Sequence, residues 1–241
     1  MSGISIAKGL ELHLVRPLIT RDEVLAGCAQ AAAAHLAAVC VWPTHVAAAS
    51  AALAGSDTRI RAAIGFPFGQ DAPSTKLVAC QRALADGAHE VAVMLDHSTL
   101  SSTSGHPEPT AALEELDRLL EHAAWSSLTA ARGRAELTIV LEAMLLEPEA
   151  MAPLLTCLHD SPAGFVQTGT GHQPRAVTEH DVRVLRALAP ADIAIVAVGG
   201  VATLEDAEAL IVAGAIRVGS GSATLILEQE RRSRGARPTA S

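Results

Sequence analysis

Lysine is nearly missing from this chain. Its 241 residues hold two, Lys8 and Lys76, against 16 arginines, so a mechanism that needs a lysine nucleophile has two places to find one. Tyrosine is absent and the other aromatics are few. No stretch of about 18 uncharged apolar residues occurs, and the start MSGISIAKGLELH lacks the apolar run of a secretory leader, which argues against a membrane-spanning helix and gives a cytoplasmic expectation. There is no basic run either. A net charge of −8 without clustered Lys and Arg argues against nucleic acid or an anionic membrane as partner, since both demand such clusters. Cys28, Cys40, Cys80 and Cys157 stand far apart with no CxxC or Cys/His spacing, so neither a zinc site nor a disulfide framework is expected, and the thiols read as reduced and buried.

What is present is a regular alternation. Short Val/Ile-rich runs alternate with longer segments of helical period, the pattern of βα units around a parallel sheet. Eight strands are predicted: 10–15, 38–42, 59–66, 90–95, 136–143, 164–168, 193–198 and 215–220. Helix starts are signalled by Thr20 with Glu23, by Ser74, by Thr110 after Pro109, by Pro148, by Thr178 with Asp181 and by Thr203 with Asp206. Eight units in a chain of this length suit one closed α/β barrel, a (β/α)8 TIM barrel over residues 1–230, followed by a flexible tail at 231–241. The stretch SSTSGHPEPT (101–110) reads as a long loop after the fourth strand.

In such a barrel ligands bind where the strands end. Gly199 and Gly200 follow the seventh predicted strand, and Gly219, Gly221 and Ser222 close the eighth. Loops without side chains let backbone N–H groups approach an anion, so a phosphate is the functional reading and a tight turn the structural one.

The segments VCVWPTHV (39–46), IGFPFG (64–69), VLEAMLL (140–146), GFVQTGTG (164–171) and VGGVATLEDAEALIVAGAIRVGSGS (198–222) resemble the 2-deoxyribose-5-phosphate aldolase family, in family order over nearly the whole chain. The resemblance implies a (β/α)8 barrel with a phosphate rim at Gly199, Gly200, Gly221 and Ser222, extended by Thr168, Thr170, Gly171 and His172 of the sixth-strand loop. It also implies a Schiff-base lysine on the sixth strand, a second lysine on the seventh that lowers the first one's pKa, and an aspartate on the fourth. Those positions here are Gln167, Val196 and Ala92, none of which can do that work. The family's opening I-D-H-T-L-L-K-P is replaced by LELHLVRP, in which the carboxylate is kept but lengthened, as Glu11, and the histidine is shifted by one place, to His13. Lys8 precedes the first strand, and Lys76, early in a helix, is expected to face solvent, so neither is expected to substitute.

Other groups remain for chemistry. Gln167 is read either as an oxyanion donor or as a buried amide satisfied by its neighbours. Glu11 and His13, two apart on one strand face, form with Glu142 a candidate acid–base group, or else serve as structural acceptors. Asp96 and His97 beside Glu142, His13 and His172 lack ligand spacing, so no metal is expected, and no cofactor. Cys40 reads as an inert thiol. Two functions follow: a barrel performing a lyase, isomerase or cyclase step on a small carbonyl compound, phosphorylated or not, without an imine; or a catalytically silent pseudoenzyme that binds a sugar phosphate or a partner protein. A homodimer is left open.

Overall fold

A computed structural model describes residues 5–96, 98, 110–121 and 136–235. Eight parallel strands close in chain order into one barrel: β1 (Leu10–Leu14), β2 (Ala38–Val41), β3 (Arg59–Ile64), β4 (Glu90–Met94), β5 (Glu136–Val140), β6 (Ala163–Gln167), β7 (Ala194–Val198) and β8 (Arg217–Ser220). Between and after them run α1 (Arg21–Ala33), α2 (Val46–Ala52), α3 (Pro73–Ala85), α4 (Thr110–Glu121), α5 (Pro148–Thr156), α6 (Glu179–Leu188), α7 (Leu204–Val212) and α8 (Ala223–Gly235). This is a single-domain (β/α)8 barrel. The helix α8 carries the fold to Gly235, past the expected start of the tail at 231, and residues 236–241 lie outside the described residues, as do His97 and 101–109 of the predicted loop.

Local chemistry sets the helix starts. Thr20, Thr178 and Thr203 each accept from the backbone N–H three residues on, while Glu23, Asp181 and Asp206 reach back to the N-cap backbone. Each such capping box satisfies two orphan N–H groups and contributes about 1 kcal/mol. Ser74 does not cap its helix: α3 begins at Pro73 after Ala72, with no side-chain cap. Proline at the first helical position has no N–H to satisfy and its φ is already helical, so the helix begins two residues earlier than a serine cap would place it.

Strands of a parallel barrel are covered on both faces, which is why they read as near-continuous apolar runs. Their outward side chains, among them Leu10, Leu12, Val39, Ile60, Val91, Ile139, Val166, Ile195 and Val218, pack with Val24, Leu116, Leu154, Val182, Leu210 and Ile226 of the helices into one core. Each fully buried Leu or Ile there contributes about 1.5–3 kcal/mol. Lys76 interrupts this shell and corrects the expectation that it faces solvent. It is fully buried, its Nζ donating to the Met94 carbonyl at 2.8 Å and pairing with Glu115 of α4. The pairing makes burial of an ammonium tolerable.

Candidate active site

The inside of the barrel has a charged floor and an apolar middle. Arg59, Glu90, Glu136 and Arg217 are the first residues of β3, β4, β5 and β8. Arg61, two residues into β3, lies at the centre of their network. Its Nη2 is 2.7 Å from Glu90 Oε2 and 3.2 Å from Glu11 Oε1. Arg217 Nη1 meets Glu11 Oε1 at 3.2 Å and Glu90 Oε2 at 2.9 Å, and Arg59 Nε meets Glu90 Oε1 at 2.6 Å. Both guanidiniums flank the Phe165 ring, with Cζ 5.5 Å (Arg61) and 4.6 Å (Arg217) from its centroid, so the cations are held by a π-face as well as by carboxylates. Burial alone would raise the Glu11 carboxyl, but Arg61, a hydrogen bond from His13, and Arg217 together hold it down at about 2. Glu90 is lowered likewise, burial being outweighed by Arg61 and Arg217. Glu11 therefore stays ionised near neutral pH and orients its neighbours; it does not release or take a proton there.

Above this floor two of the three positions that the resemblance assigns to family groups are apolar surfaces. Ala92 packs with Met94 and Val140, and Val196 with Phe165 and Val198. Cys40 packs with Val15 and Ala63, and burial pushes its thiol up to about 12, so it has no thiolate to offer.

At the strand ends lies a cavity of about 450 Å³, built from the ends of β1, β6, β7 and β8. It brings together His13, Thr170, Gly171, His172, Gly199, Gly200, Gly221 and Ser222, and adds Arg16. His13 Nε2 lies 3.4 Å from Glu11 Oε2, so the imidazole is tied to the charged floor. Gly219 is what lets the ring sit there: a Cβ at that position would come within 3.0 Å of His13 Nε2. Across the mouth the Trp42 and His172 rings are 6.2 Å apart, and Trp42 Nε1 donates to the Arg16 carbonyl at 3.4 Å.

The other predicted site residues lie behind this cavity and do not line it. Thr168 is spent on β7, its Oγ1 donating to the Val198 carbonyl at 2.9 Å and accepting from Val198 N at 2.8 Å. Glu142 is buried, with Oε1 accepting from Thr170 N at 3.0 Å and Thr170 Oγ1 at 2.5 Å, while Oε2 is buried without a partner among the described residues. Gln167 is buried too: Nε2 donates to the Gly169 carbonyl at 2.7 Å and Oε1 accepts from Arg61 Nη1 at 3.2 Å. Of the four residues given catalytic roles from sequence, Gln167, Glu142, His13 and Glu11, only His13 reaches the cavity wall. Neither lysine does: Lys8 pairs with Asp57 at 2.9 Å ahead of the strand starts, and Lys76 is sealed between helices.

The chain is 31% identical over 224 residues to a deoxyribose-phosphate aldolase of Geobacillus sp. (strain WCH70), covering 93% of this chain and 95% of that one. It belongs to the deoxyribose-phosphate aldolase family. A deoxyribose-phosphate aldolase of Listeria monocytogenes is 29% identical over 228 residues, covering 95% of this chain and 97% of the relative. Among solved structures, a tetrameric deoxyribose phosphate aldolase from Aeropyrum pernix superposes with a TM-score of 0.82 at 26% identity, over 94% of this chain and 91% of that one. The aldolase QR15 gives 0.81 at 26% identity over 96% of this chain and 98% of its own. No protein-family model matches the chain. Membership of an aldolase family makes this a lyase-type barrel, and no described helix is long and apolar enough to cross a membrane.

Proposed function

We propose that this family member binds a small carbonyl compound bearing a phosphate or similar anion in the 450 Å³ cavity, and that His13 moves a proton on it without an imine. The observation that carries the reading is the lining. In a chain of net charge −8, the ionisable side chains on the wall are His13, Arg16 and His172, with no carboxylate among them. The backbone N–H groups of Gly199, Gly200 and Gly221 make no hydrogen bond to another described residue, and all three glycines line the cavity. The N–H groups leading into α7 are already taken, those of Ala202 and Thr203 by Asp206 and that of Leu204 by Gln229, so the glycine amides offer the anion seat. The proton step is assigned to His13 because it lines the cavity and an ionised carboxylate holds its Nε2 and fixes the ring, which leaves Nδ1 as the nitrogen for proton transfer, the arrangement general acid–base catalysis needs. Such a step fits a lyase, isomerase or cyclase reaction in the cytoplasm. The missing imine rests on Gln167 at the family's lysine position and on both lysines being engaged away from the cavity.

The test is incubation with 2-deoxyribose 5-phosphate and with glyceraldehyde 3-phosphate in D2O, followed by proton NMR, with a parallel arm of borohydride reduction and intact-mass analysis. The expected result is deuterium entering beside the carbonyl, lost in His13→Gln, and no reduced adduct. A stable adduct on Lys8 or Lys76 refutes the reading. A silent binder is the second reading, favoured by the complete burial of Glu11, Glu142 and Gln167; ligand-induced shifts without any exchange, for either sugar phosphate, would select it.

A further inference from the structure

The loop Gly169–His172 is gripped from two buried sides. From below, Gln167 Nε2 donates to the Gly169 carbonyl at 2.7 Å, and the same amide's Oε1 accepts from Arg61 Nη1 at 3.2 Å. From the side, Glu142 Oε1 accepts from the Thr170 N–H at 3.0 Å and hydroxyl at 2.5 Å, and Thr170 Oγ1 in turn accepts from His172 N at 3.3 Å. Gly169 is wedged between them: a Cβ there would lie 2.5 Å from Glu142 Oε2. Thr170, Gly171 and His172, the residues that follow, are wall residues of the cavity.

We infer that Gln167 is a positioning residue, which transmits the placement of the buried Arg61 to the loop that faces the anion. The assignment rests on the proposed anion-binding cavity for its consequence, and on the hydrogen bonds alone for its geometry. The position needs a side chain that accepts from a guanidinium at one atom and donates to a carbonyl at the next. A primary amide does both. A glutamate accepts from Arg61 but cannot donate to Gly169. A lysine donates to Gly169 but sets a second cation against Arg61, which is always charged. An arginine at position 61 and an amide at position 167 are therefore matched, and neither residue lines the cavity.

The experiment compares wild type, Gln167→Glu and Gln167→Met in two ways: residue-resolved amide hydrogen exchange of the free proteins, and titration with inorganic phosphate. The expected result is exchange at Thr170 and His172 faster by tenfold or more in both variants, unchanged exchange at Val39 and Val41 of β2, and phosphate binding weakened fivefold or more. Wild-type exchange at Thr170 and His172 in both variants overturns the inference. So does faster exchange throughout the barrel, or failure of both variants to fold, since Gln167 would then serve the core at large. A wild type that ignores phosphate, with the loop still loosened in the variants, sinks the anion reading and leaves the positioning role standing.

Discussion

Replacing Arg61 with Met keeps an unbranched apolar stem and removes the guanidinium and its charge. The guanidinium is fully buried and makes three close polar contacts with Glu90 and Glu11, at 2.7, 2.9 and 3.2 Å. Removing one partner of a buried ion pair costs about 3–5 kcal/mol, because the other charge is left in a poor solvent. Arg217 remains and contacts both carboxylates, so the loss should fall near the lower end, about 3 kcal/mol at pH 7. The pH dependence has a definite sign. The Glu11 carboxyl is held at about 2, below its ordinary 4.5, against the effect of burial and chiefly by Arg61. A depressed carboxyl contributes stability that is complete above about 4.5 and lost as pH falls toward about 2; a shift of that size corresponds to about 3 kcal/mol. Without Arg61 the carboxyl rises and that contribution disappears. Urea unfolding of both proteins at pH 7, 4.5 and 2.5 should therefore show a gap that is widest at pH 7 and narrows on acidification. A gap below about 1 kcal/mol at pH 7, or one that stays constant down to pH 2.5, would refute the argument that Arg61 holds Glu11 ionised.

Three further outcomes follow from the same geometry. Gly219→Ala places a Cβ within 3.0 Å of the His13 ring; because a ring tip can swing aside, stability should change by only about 1 kcal/mol while the His13 signal moves in NMR and proton exchange on the sugar phosphates is lost. Gly69→Ala has no such escape, since φ is +71° and the new Cβ would meet the Leu95 carbonyl and Asp96 N, both backbone; a loss of about 3 kcal/mol or more, seen as a fall in Tm of roughly 6–12 °C, is expected by calorimetry. Among the thiols, burial pushes Cys40 and Cys80 up to about 12 and Cys28 up to about 11, whereas Cys157 is only half-buried; a disulfide reagent should titrate Cys157 alone in the native protein, and fast reaction of a second thiol would contradict this packing.

The barrel was legible because its signals are local. All eight strands were predicted to within a few residues, since strands buried on both faces leave unbroken apolar runs and three Thr-x-x-acid boxes mark helix starts. The cavity was partly legible: glycines closing β7 and β8, with His13 and the Thr170–His172 loop, do converge. What the sequence hid is long-range pairing. Lys76 looks like a solvent-facing helix lysine until Glu115, 39 residues on, arrives beside it. Arg61 finds Glu90 29 residues away and Gln167 106 residues away, and Arg217 finds Glu90 across 127. Charges alternating with apolar residues in RIR, EVA and RVG were visible signals, but a period of two says only that they share a face. Which face is inward depends on partners the local pattern does not contain.

Those partners explain why the changes at the barrel centre belong together. Glu11 and Glu90, both inside the barrel, are balanced by Arg61 and Arg217. The register places Gln167 beside Val196, and Val196 beside Arg217. Amines at 167 and 196 would thus enter a volume whose anions are already paired, next to guanidiniums that cannot give up their protons. Like charge at that range lowers a lysine's pKa but also destabilises the fold. Under the proposed reading, an arginine at 61 is compatible with an amide at 167 and an apolar residue at 196, and all three must change before an imine-forming pair of lysines can be housed. Gln167→Lys alone is accordingly expected to lose stability without gaining an adduct that borohydride can trap, and intact-mass analysis of the reduced protein would read both the presence and the site of any adduct.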